Sequence, residues 1–182
     1  MTKAQRTAAM PPSGKIEVAE EGNRREGEMT TAEMRQCAKD IVAWFRQHAA
    51  LEAKGADPSV LDELGKKRDL PLALEELYRE AQSGLWFEGY QLIHPQSVGK
   101  MLAEVDAPYV PFASDIDDAL LVADGDGAVY EWELGEGRGD RVAASCADYL
   151  EAYRNKLLEG RFEYMEDDGC VETMASAPSR GK

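Results

Sequence analysis

The sequence predicts a single α+β domain. Three observations carry that prediction: three stretches with helical spacing of apolar residues precede any strand, the period shifts toward two at Leu85, and two strand-like runs joined by Asp and Gly lead into one last helical stripe. Runs of helices followed by runs of strands, rather than strict alternation, belong to an α+β sheet with helices packed on it. A chain of 182 residues fits one ordinary domain with appendages. Its 43% hydrophobic content is enough for one core.

Residues 1–29 mix Pro, Gly, Ser, Glu and Arg with few large apolar side chains, so they are expected to form a disordered arm. Thr30 and Glu33 have the spacing of a capping box, which starts a helix. Met34, Cys37, Ile41, Trp44, Phe45, His48 and Leu51 then recur at three- and four-residue spacing, and Gly55 is the expected stop. Residues 30–56 therefore read as an N-terminal amphipathic helix. His48 lies on the rim of its stripe with no partner at metal-ligand spacing, so it reads as a solvated or capped ring.

Asp57-Pro58 reads as a helix cap with proline at the first helical position, and Leu61 and Leu64 give that short helix its apolar side. Leu70-Pro71 opens a third helix, with Leu74, Leu77, Tyr78 and Ala81 on one face, which Ser83-Gly84 ends. LWFEGYQLI then reads as a strand, and PQSVGKMLAEV as a short helix. YVPFASD supplies a brief strand whose Pro111 suits an edge or a strand end.

DALLVADGDGAVYEWE, residues 118–133, places four residues of only Asp and Gly between two strand-like runs. Such a turn makes a hairpin, with Gly125 and Gly127 supplying positive φ and the Asp124 and Asp126 carboxylates dispensable for the fold. A calcium loop needs about six oxygen ligands, and DGDG lacks the later ligands and the terminal Glu. Turn carboxylates flanked by glycine also lack the rigid shell that acid and base chemistry requires. GEGRGD after the hairpin reads as an exposed loop, since a phosphate loop would end in GK followed by Ser or Thr.

VAASCADYLEAYRNKLLEG sets Val142, Cys146, Tyr149, Leu150, Tyr153, Leu157 and Leu158 on one helical stripe, with Ser145 as a candidate cap. RFEYMEDDGCVETM adds a short strand or docked arm, and residues 173–182 read as a flexible tail.

Net charge is −14, which would repel a nucleic-acid backbone from most of the surface. Two readings of that acidity stand side by side: a solvated surface, or steering toward a basic protein. No apolar run is long enough to span a membrane, and no secretory signal is evident at the N-terminus, so the expected location is the cytosol or the nucleus. Cys37, Cys146 and Cys170 form no CxxC pair and suggest neither a zinc site nor a disulfide framework. The residues thus predict no catalytic set, no metal and no cofactor.

Taken in order, Leu70-Pro71, a helix ending at Ser83-Gly84, an aromatic strand, Pro111-Phe112 followed by Asp115, a hairpin leading into Val129-Tyr130-Glu131-Trp132, and a final helix from Cys146 to Leu158 resemble the SUKH superfamily. These are the Smi/Knr-type cell-wall-regulator and toxin-immunity domains. The resemblance covers about residues 57–160, and the SUKH-like domain is expected to span 57–172. Ser83 stands where Asn is usual in that family, and Ile116-Asp117-Asp118 where a Gly-rich turn is usual.

The resemblance implies a mixed, mainly antiparallel sheet with packed helices, no shared catalytic constellation, and a non-enzymatic, protein-binding role. Bacterial members bind and neutralise toxins, many of them nucleases; eukaryotic members are regulatory or scaffold modules in signalling or in cell-wall and stress control. Either role implies another protein as partner, a basic one in the nuclease case. The expected contact set is acidic, with Asp115, Asp117, Asp118, Asp124 and Asp126 around the sheet edge and Trp86, Tyr130 and Trp132 as aromatic anchors. For those aromatics, core packing on alternate strand faces is the competing reading.

Overall fold

The computed structural model describes residues 28–173. Of the expected arm it includes Glu28 and Met29, and of the expected tail Thr173; the rest of both lies outside the described residues. Met29 already packs against the core. The Thr173 amide donates to the Arg161 carbonyl at 2.7 Å, so both boundary residues belong to the domain.

The chain runs α1 (Thr31–His48), α2 (Pro58–Lys67), α3 (Leu72–Glu80), β1 (Trp86–Phe87), β2 (Tyr90–Leu92), α4 (Pro95–Met101), β3 (Val110–Ser114), β4 (Leu120–Ala123), β5 (Val129–Glu133), β6 (Gly137–Ala143), α5 (Cys146–Leu158), β7 (Phe162–Met165) and β8 (Gly169–Glu172). Strands β1 to β6 form one sheet in sequence order, and β7 with β8 forms a separate hairpin. The α+β class and the mainly antiparallel sheet are as expected, and here every pairing is antiparallel.

Local chemistry explains most boundaries. The α1 capping box forms in full: the Thr30 hydroxyl accepts from the Glu33 amide at 3.0 Å and the Thr30 amide donates to the Glu33 carboxylate at 2.6 Å. Asp57 caps α2 by accepting from the Ser59 amide at 2.9 Å. Helix α1 ends at His48 rather than near Gly55. Gly55 instead serves close approach: a β-carbon there would run into the Arg79 carbonyl. His48 caps its own helix, with Nδ1 2.8 Å from the Trp44 carbonyl and its ring stacked 4.1 Å from the indole.

Pro111 takes the strand-end position expected of it, as the second residue of β3, next to a bulge and beyond the reach of the short β2, which pairs only with Ala113 and Ser114. Three further expectations are corrected. LWFEGYQLI forms two short strands, because Glu88 takes φ 57° and folds the run back on itself. The GEGRGD stretch is largely edge strand β6, formed by pairing with β5 despite its poor strand propensity. Val142 therefore belongs to β6, and α5 starts at Cys146 under a Ser145 cap.

The core lies between the sheet and the helices. Helices α1, α3 and α5 pack on one another, α2 packs on α4, and α4 packs on β3. Tyr78 is fully buried and its hydroxyl donates to the Ile93 carbonyl at 2.8 Å. Glu76, the one buried charged side chain among the described residues, receives Arg35 through two guanidinium nitrogens at 3.0 and 3.3 Å. That pair ties α3 to α1.

Candidate protein-binding cleft

Strand alternation divides the residues of the VYEWE stretch between two faces. Tyr130 pairs with Val122 and Trp132 with Leu120 on one face; Glu131 pairs with Leu121 on the other. Helix α5 lies on the Glu131 face, where Tyr149 meets Phe87 at 5.9 Å and Phe112 at 6.1 Å between ring centroids. The Tyr153 hydroxyl anchors that helix to β1 by donating to the Trp86 carbonyl at 2.6 Å.

The helix covers only part of this face. Beside it runs a cleft of about 520 Å³, floored by Phe87, Tyr90 and Leu121, walled by Val142 of β6 and Tyr149 of α5, and rimmed by Glu88, Glu131, Asp148 and Lys156. Its acidic character is physical as well as compositional. Burial, then the charges of Glu131, Asp115 and Glu133, push the Tyr90 hydroxyl above its usual range. Sharing a hydrogen bond with Glu136, and that group's charge, hold the Glu133 carboxyl above the usual carboxylate range. Burial and then Glu88 raise Tyr149 as well.

The turns explain why these charges gather. The β1–β2, β3–β4 and β5–β6 turns lie at one end of the meander, so Glu88, Asp115, Asp117, Asp118, Glu133 and Glu136 share it. Two large apolar residues stand out there, Ile116 at 92% and Leu134 at 45% exposure.

The β4–β5 turn is at the opposite end. Asp124 and Asp126 are therefore separated from the Asp115 group by the length of β4, on the order of 13 Å, and the five expected aspartates do not form one patch. Asp124 instead sits near Cys146, whose thiol is raised by burial and then by the Asp124 charge. Strand β4 is also interior to the sheet rather than at its edge.

Both β4 turns have the same construction. Asp115 Oδ1 accepts from the Asp117 amide at 2.9 Å and the Ala119 amide at 2.8 Å; Asp124 Oδ1 accepts from Asp126 and Ala128, both at 2.9 Å. The fourth residue of each turn is left-handed, Asp118 at φ 64° and Gly127 at φ 89°. Each is a three-residue hairpin loop closed by a bulge. This corrects the sequence reading twice: only Gly127 of the two glycines needs positive φ, and the Asp124 carboxylate is structural.

The expected aromatic anchors are mostly engaged. Trp132 is buried beside Tyr109, centroids 5.2 Å apart. Tyr130 is half-buried, with the Arg138 guanidinium 4.9 Å above its ring. Trp86 is half-buried against the β7–β8 turn, where a β-carbon on Gly169 would strike its ring. The cleft-lining Tyr90, Leu121, Glu131, Val142 and Tyr149 were not among the expected site residues; the alternation of VYEWE was the signal for the acidic side.

Among the described residues no group of His, Cys, Asp and Glu is arranged to hold a metal ion. No helix among them is long and apolar enough to cross a membrane. Neither a family model nor a curated protein matches the chain, so the cleft is interpreted from its own residues.

Proposed function

We propose that this chain is a non-enzymatic protein-binding domain whose acidic end covers a basic partner, as expected of an immunity protein of the SUKH type that neutralises a toxin. One observation carries the reading: an aromatic-floored cleft opens beside α5 among carboxylates whose charges raise the Tyr90 hydroxyl and the Glu133 carboxyl. Apolar floor gives affinity once desolvated, and the surrounding charge selects and steers a cationic partner. The three buried thiols suit a reducing compartment, the cytosol or the nucleus.

The test compares capture by the parent chain with capture by a Glu131→Lys/Glu133→Lys variant shown by circular dichroism to be folded. A specific partner should be recovered at least tenfold less by the variant, and the interaction should weaken as salt rises. Equal recovery by both chains refutes the assignment of the cleft. If the captured partner is a nuclease, addition of one equivalent of the chain should abolish its activity. A partner whose activity survives would mark the regulatory or scaffold role instead.

A further inference from the structure

We infer that the occupant of this cleft is a basic amphipathic helix of the partner, laid alongside α5 on the open strip of the sheet. The inference rests on the protein-binding reading above and specifies what is bound. Its first support is dimensional. Strands β3 and β5 have five residues each, roughly 17 Å at about 3.4 Å per residue. A helix with its side chains is about 10–12 Å across, so α5 leaves an open strip of roughly 5–7 Å, enough to seat the apolar edge of a second helix whose outer side stays in solvent.

The second support is the side that α5 turns to the strip. Asp148, Ala152 and Lys156 line the cleft, with Tyr149 and Tyr153 beside them. Those positions recur every three or four residues and form the surface ridge against which a neighbouring helix packs. Ala152 is exposed and small, at the middle of the ridge, where it admits close approach. On the sheet side Gly139 adds no side chain next to Glu131, so the strip stays open toward β6.

Charge selects the helix. Glu88, Glu131, Glu133 and Asp115 surround an apolar line formed by Tyr90, Leu121 and Val142. That pattern complements a narrow apolar stripe flanked by Lys and Arg, the form in which helices enter grooves. The five spacings between the six strands, at about 4.8 Å each, accept roughly 16 residues of helix at about 1.5 Å each.

The probe is a labelled 18-residue peptide, the order of length just estimated, with Leu at helical spacing and Lys elsewhere. Its control has the same composition scrambled so that Leu and Lys do not segregate. Fluorescence anisotropy at moderate salt should give at least tenfold tighter binding for the patterned peptide. Ala152→Arg should weaken it at least tenfold, whereas Asp126→Lys, a charge reversal at the far turn, should change it no more than about twofold. Equal affinity for both peptides, or an unchanged affinity in folded Ala152→Arg, overturns the helix. If capture of the natural partner still depends on Glu131 and Glu133, the protein-binding reading outlives that failure; if capture does not depend on them, the reading itself falls.

Discussion

Replacing Asp124 with Ala should destabilise the domain by about 2 kcal/mol, although the residue lies in a surface turn. Its Oδ1 accepts two backbone N–H groups at 2.9 Å each, and a hydrogen bond contributes about 0.5–1.5 kcal/mol net. One donor, Ala128, is only 4% exposed. Its freed amide has little access to water, which favours the upper half of that range. For a domain of this size roughly 2–4 °C of melting temperature accompanies each kcal/mol, so the fall should be about 4–8 °C. Asn retains the accepting oxygen and should cost less than about 1 kcal/mol. Asp126 is exposed, and its replacement by Ala should stay within about 0.5 kcal/mol. Calorimetric or circular-dichroism melts of the three variants decide the matter. An Asp124→Ala protein as stable as the parent, or an Asn variant as damaged as the Ala one, would refute the assignment of the two amide bonds as the source of the effect.

A larger side chain at Gly169, such as Val, should detach the β7–β8 hairpin from β1, because its β-carbon would meet the Trp86 ring and the Glu88 carbonyl at φ 79°; overpacking and backbone strain together should cost at least about 2 kcal/mol, and unchanged Trp fluorescence and melting would refute it. Glu136→Gln should lower the Glu133 carboxyl toward its usual value, read by carbon-13 NMR titration. The sign follows from the raised folded value: the folded state binds the extra proton, so this repulsion weakens the fold as pH rises through the Glu133 titration and is relieved below it. Cys37, Cys146 and Cys170 are at most 3% exposed, and burial pushes Cys37 up to about 11; a disulfide reagent should find no reactive thiol in the native protein and three after urea unfolding, and rapid native labelling would contradict that burial.

The legible parts of the fold were those whose cause is local. Thr30 with Glu33, Asp57-Pro58 and Ser145 announce helix starts because a cap requires specific side chains at fixed offsets. The DGDG hairpin was visible for the same reason. Less visible was the β3–β4 turn, in which Asp118 holds a left-handed conformation that glycine usually takes. The β6 strand was hidden because its residues have little intrinsic strand preference; pairing with β5 decides its state, and pairing is not written in a window of seven residues. The cleft was hidden for a related reason. Tyr90, Glu131, Val142 and Tyr149 come from four elements, and only the meander with α5 folded across it brings them together.

Alternation in β5 then links the stability of the domain to the proposed recognition surface. Tyr130 and Trp132 point to the face where Tyr109 packs, with ring centroids at 5.9 and 5.2 Å, and their burial helps hold the central strands in register. Glu131 and Glu133, one residue away from each, must therefore face the opposite side. There the sheet sets their charges beside those of Asp115 and Glu136. A slip of one residue would bury the carboxylates and expose the aromatics, so the packing that selects the native register also fixes where the charge is displayed. Glu136, Glu131 and Asp115 hold the Glu133 carboxyl above its usual range, and a cation placed beside it would relieve that repulsion. The proposed binding at this end would accordingly draw part of its free energy from repulsion around Glu133 in the unbound domain, while the apolar floor and the α5 ridge determine which cationic surface can come close enough to release it.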